Sequence, residues 1–127
     1  MKRLFISMVI ILALALLATL HVVQLEQLTD ELIGQLEAAE ACLKREDWAG
    51  AKKSAQTVSE EWERQAFYLH TTLRHTDIDA IRTSLKEALA YLDSREDVAE
   101  CLAVTARLIN QLELLIEAEL PTIKNLL

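Results

Sequence analysis

At 127 residues, 52% of them hydrophobic, with two glycines and one proline, the chain has room for one small domain and a membrane segment but too few turn formers for an all-β fold. Thirteen basic residues against twenty acidic ones leave a net charge of −7, which argues against a nucleic-acid binder whose affinity comes from neutralising phosphates. Cys42 and Cys101 allow one disulfide at most and form no CxxC pair, so a thioredoxin-like redox centre or a cysteine-rich zinc site has no local support.

Lys2 and Arg3 are followed by Leu4 to Val23, twenty residues whose only polar members are Ser7, Thr19 and His21. At about 1.5 Å per residue such a helix spans roughly 30 Å, the thickness of a hydrocarbon core. A cleaved secretory signal would share the basic start and apolar centre but needs small residues at −3 and −1 of the cleavage site. Ala13 and Ala15 fit that spacing only by leaving too short an apolar stretch, and Leu16/Ala18 or Ala18/Leu20 each place a leucine where a small side chain is wanted. The expectation is a retained anchor in contact with the lipid bilayer through residues 4–23. No cysteine follows closely, so a lipoprotein is not expected. Positive flanks stay in the cytoplasm, which puts residues 25–127 outside as an extracytoplasmic domain and residues 1–24 as cytoplasmic start and anchor. The exported part keeps eleven basic residues against all twenty acids, about −9, and such a surface does not bind anionic headgroups on its own. His21 is the one ionisable group inside the span, and its place near the outer boundary favours an interfacial role.

Beyond the span, Leu25, Leu28, Leu32, Leu36, Ala39 and Leu43 recur at gaps of three and four, so one long helix is predicted to leave the membrane and continue to about Arg45. Gly34 is its weakest interior point, and Glu40 and Lys44 pair at i, i+4. Asp47 is a good N-cap for a second helix from about Trp48 to Leu73. Trp48 and Trp62, nearly four turns apart, are predicted to enter the core from one stripe. His75 to Asp77 reads as a turn, with Thr76 or Asp77 capping a third helix through Ile78, Ile81, Leu85, Leu89 and Leu92. Ser94 and Asp97 resemble a capping box before a fourth helix, which Pro121 is expected to end. Short connections between amphipathic helices predict an all-α protein: a transmembrane helix continuing into an up-and-down antiparallel four-helix bundle. That topology returns residues 121–127 toward the bilayer, where Leu120, Ile123, Leu126 and Leu127 could meet lipid or a membrane partner.

The same topology brings Cys42 and Cys101 to one end of the bundle. A disulfide there needs Cα atoms about 4.4 to 6.8 Å apart, and two buried free thiols are the alternative. His70, His75, Asp77 and Asp79 gather near the second turn, but five residues between the histidines is poor spacing for a metal, and capping of the third helix by this segment (His75, Asp77, Asp79) is the ordinary account. Glu60, Glu61 and Glu63 read as a solvated face, with Arg64 at i+4 to Glu60. With no glycine-rich phosphate loop, nucleophile elbow or HExxH, neither catalysis nor a cofactor or metal is expected.

The order of features, namely a basic start and one span, then Glu46-Asp47-Trp48, Trp62, the His75-x-x-Ile78-Asp79-x-Ile81 turn with Ser84-Leu85, and a final Lys124-Asn125-Leu126-Leu127, resembles the bacterial proteins grouped as domain of unknown function family 4363. These are small single-span proteins with a helical exported part in Gram-positive bacteria. The resemblance covers almost the whole chain and implies topology and location, with no catalytic residue. The function expected is a membrane-anchored helical interaction module or accessory subunit of an integral membrane protein. The alternative is a sensor-type ligand-binding bundle, which usually sends a second span back through the membrane. The stripe after the span serves a dimer as well as a bundle, so a homo-oligomer stays open.

Overall fold

The computed structural model describes residues 1–95 and 97–126, except the side chains of residues 72 and 119–126. Its elements are α1 (Lys2–Lys44), α2 (Trp48–Arg64), α3 (Ala66–Thr72), α4 (His75–Ser94) and α5 (Val98–Leu126). Helices α1, α2, α4 and α5 form the up-and-down bundle, each touching its two neighbours in the ring α1–α2–α4–α5, and α3 is a short fifth helix between α2 and α4.

α1 is one unbroken helix of 43 residues, about 65 Å long at the standard rise. Its two parts meet different surroundings. From Leu4 to Leu20 the large apolar side chains are exposed, with Leu4 at 76% and Leu17 at 63%. From Val22 onward one stripe (Val22, Leu25, Leu28, Leu32, Leu36, Ala39, Leu43) is buried against the other helices. The helix is long and apolar enough to cross a membrane, consistent with an anchor or a signal sequence.

Two apolar clusters record the antiparallel order. Leu43 from the end of α1 packs with Ala51 and Ala55 from the start of α2, Leu92 from the end of α4 and Cys101 from the start of α5. The larger cluster joins Leu25 to Leu36 of α1 with Val58 and Trp62 of α2, Leu69 of α3, Ile78 to Ala88 of α4 and Val104 to Leu115 of α5. Only alternating directions bring those segments together. Thr29 and Thr105, both buried, satisfy their hydroxyls on the carbonyls of Leu25 and Cys101 at 2.9 and 2.8 Å.

The α1–α2 corner is tight. Glu46 takes φ 58°; its N–H donates to the Leu43 carbonyl at 3.0 Å and the Asp47 N–H donates to the Cys42 carbonyl at 2.8 Å. These are the two bonds of a Schellman cap, formed here around a glutamate. Asp47 then caps α2, its Oδ1 accepting from the Gly50 N–H at 3.0 Å. A Cβ on Gly50 would collide with the Asp47 carboxylate and stand 2.9 Å from Cys42 Sγ, so this glycine is required by close approach. Gly34 has open space around it.

Four boundaries differ from the sequence expectation. The predicted second helix breaks at Gln65, although the Gln65 N–H still reaches the Glu61 carbonyl and its carbonyl accepts from Leu69 N–H, so the break is a kink within a nearly continuous path. α4 starts at His75 with Arg74 in the cap position and no side-chain cap, so Thr76 and Asp77 lie inside the helix; Asp77 sits in its first turn, where the dipole favours an acid. Ser94 is the last residue of α4 and not the residue before α5, which starts at Val98: its hydroxyl donates to the Ala90 and Tyr91 carbonyls, Arg95 turns the chain at φ 50°, and Asp97 accepts from the Ala99 N–H at 3.0 Å. α5 runs through Pro121 to Leu126. Proline removes its own N–H and its ring crowds the carbonyl four residues back, but its fixed φ is a helical one, so a helix can continue through it at a cost of about 3 kcal/mol. The expected contacts of Leu120, Ile123, Leu126 and Leu127 lie outside the described residues.

Candidate functional site

Polar features lie at both ends of the bundle and along its sides. At the far end, Cys101 is buried and Cys42 half-buried, both thiols belonging to the cluster around Leu43 and Ala51. Trp48, the first residue of α2, packs on that same cluster from its rim and is only partly covered. Trp62 is completely buried in the larger cluster. Its Nε1 has no acceptor and the buried Gln111 Oε1 has no donor. Lys52 of α2 pairs with Asp93 of α4, closing this end on one side.

At the other end, where α1 enters the bundle, α3 packs through Leu69, which is fully buried, and through Leu73 just after it. The kink at Gln65 turns Tyr68 toward α1, and its hydroxyl lies 2.5 Å from His21 Nδ1, with the two rings 5.7 Å apart. This contact between residues 47 positions apart carries no local signal in the sequence. Across the α3–α4 junction, His70 Nδ1 and His75 Nδ1 are 3.0 Å apart, so one imidazole donates and the other accepts. Asp77 and Asp79 follow on α4 but do not complete a ligand set: among the described residues no group of three or more His, Cys, Asp and Glu side chains is placed to hold a metal ion.

Between the ends, ion pairs tie α4 to its neighbours. Arg82 donates from Nε and Nη2 to the two carboxylate oxygens of Glu63 on α2, at 2.9 and 3.2 Å. Arg107 of α5 meets Glu87 of α4 at 2.5 Å. Arg64 pairs with Glu61 at i+3, 2.6 Å, rather than with Glu60 at i+4. Glu61 and Glu63 are therefore engaged in helix and interhelix pairing, and ion pairs at the protein surface each contribute less than about 1 kcal/mol. Open grooves lie between α4 and α5, lined by Arg74, Asp77, Gln111 and Leu114 in one case and by Asp79, Thr83, Glu87 and Arg107 in another. Their linings mix charged and hydroxyl side chains with alanines and, in the first, leucines.

No curated protein matches the chain, and no solved structure does. A family model does, over residues 19–126, which takes in α1 from residue 19 onward and all of α2 to α5. The chain belongs to the family described as domain of unknown function DUF4363.

Proposed function

We propose that this chain is a single-pass membrane protein whose residues 4–23 stay in the bilayer, with the N-terminus cytoplasmic and the bundle outside, and that it acts as a non-catalytic interaction module or accessory subunit of an integral membrane protein. The observation that carries the reading is the continuity of α1: the helix that exposes a full turn-by-turn coat of apolar side chains from Leu4 to Leu20 is the same one that supplies the central stripe of the bundle core. Exposed apolar surface on that scale is stable in lipid and a liability in water. Lys2 and Arg3 support the orientation. The acidic outer surface and the lack of a glycine-rich phosphate loop, nucleophile elbow or HExxH support binding over chemistry.

Protease added to intact protoplasts should digest the bundle and leave a short protected N-terminal fragment, and the N-terminal sequence of the mature chain should begin at or near Met1. A chain that starts after Leu20 and stays soluble would overturn the anchor. A tagged chain extracted in mild detergent should retain one defined integral membrane protein in constant ratio; repeated recovery of the chain alone would count against the accessory role.

A further inference from the structure

We infer that α3 is a second lipid contact, which lays Phe67 into the headgroup layer of the same bilayer that holds α1; the inference rests on the anchored reading above. The height of α3 along α1 is fixed by the Tyr68 hydroxyl on His21 Nδ1 at 2.5 Å. His21 stands two residues before the end of the Leu4–Val23 segment, so this hydrogen bond sets α3 at the level where hydrocarbon gives way to headgroups. Phe67, next to Tyr68, is 84% exposed, and among the described residues beyond Val23 the other large apolar side chain left exposed is Leu114, at 53%. A phenylalanine ring in water at that level gains by entering the interface, where surface-lying helices bury their apolar side chains.

Charge points to the same occupant. Residues 64–76 form the longest stretch after Glu26 without an aspartate or glutamate, thirteen residues carrying Arg64, His70, Arg74 and His75. In an outer part whose net charge is about −9, this segment presents no carboxylate of its own to an anionic headgroup layer, and Arg74 and the Glu61-paired Arg64 are both exposed. α3 is thus a short helix whose inner residues, Leu69 and the following Leu73, are buried in the bundle, while its outer aromatic faces the lipid surface. The result is a two-point attachment that fixes the tilt of the bundle on the membrane.

The test places a spin label at position 67 (F67C) in the full chain with C42S and C101A, reconstituted in nanodiscs of phosphatidylcholine and phosphatidylglycerol. Labels at L12C and K53C serve as references for the anchor and for the solvated far half of α2. Accessibility to oxygen and to a water-soluble nickel complex is read by power saturation, and circular dichroism reports the fold. The expected result is a ratio of oxygen to nickel collisions at 67 several-fold above that at 53 and below that at 12. T71C, exposed on the same helix, supplies the same readout should F67C lose helicity. A label at 67 as open to nickel as the one at 53, while 12 stays in hydrocarbon, overturns the lipid contact and leaves the anchor standing. Protection of 67 from both reagents overturns it too, since a protein would then cover the ring. A label at 12 that is open to nickel overturns the anchored reading itself.

Discussion

The two parts of α1 have nearly the same leucine-rich character and opposite fates. Leu12 and Leu17 lie 64% and 63% exposed, while Leu32 and Leu36 are each at 1%, on the same unbroken helix. The difference lies in what stands beside each leucine. Up to Leu20 leucines point in all directions with hardly a polar residue between them, a pattern that only an apolar solvent satisfies; from Gln24 on, Glu26, Gln27, Asp30 and Glu31 fill the other faces and leave one stripe for the bundle. A helix hydrophobic all round and a helix hydrophobic on one side are two solutions to burial, joined here without a loop.

The sharpest way to break the contrast is to remove what the buried half packs against. Trp62→Ala should cost about 3–5 kcal/mol in denaturant unfolding of the full chain in detergent micelles. Trp62→Phe should cost far less, because it keeps most of the apolar volume and deletes an N–H that is buried without an acceptor. Next in size, Leu32→Ala should cost about 2–5 kcal/mol, while Leu12→Ala leaves the bundle transition where it was. Equal losses at both positions would mean that the two parts do not meet different surroundings.

The two glycines should respond in opposite directions. Gly50→Ala drives a methyl into the Asp47 carboxylate and should lower stability by about 1 kcal/mol through loss of the cap. Gly34→Ala, with open space around it, should raise stability by up to about 1 kcal/mol through helix propensity alone. Smallest of all, Glu63→Gln, which weakens the Arg82 pair between α2 and α4, should shift unfolding by less than about 1 kcal/mol and only at low salt.

The helices and their ring order were legible because each stripe, such as Val58, Trp62 on α2 or Ile78, Ile81, Leu85 on α4, repeats at helical spacing, and short connectors leave few ways to pack them. The ends were less legible. The chain closes α1 and α4 around left-handed Glu46 and Arg95, where a glycine would have announced the turn, and both residues are otherwise ordinary helix formers. Glu63, Arg64, Gln65 and Ala66 favour a helix too, so the kink at Gln65 has no local cause in propensity; it accompanies the burial of Leu69 and the reach of Tyr68 to His21. That meeting depends on the relative rotation and height of two helices, which no pattern along one strand of sequence encodes. At the start of α5 the Ser94-x-x-Asp97 spacing marks Asp97 correctly, whereas the Ser94 hydroxyl bonds back to its own helix.

An unbroken rod also has a rotational consequence. Because α1 carries neither proline nor a bend between Val23 and Leu25, the azimuth of every outer helix is locked to the azimuth of the apolar cylinder below. Each residue added at that joint would swing the bundle by about 100° and lift it by about 1.5 Å, pulling Tyr68 out of reach of His21. The compass bearing that the outer surface offers to a neighbouring protein is therefore written in a residue count.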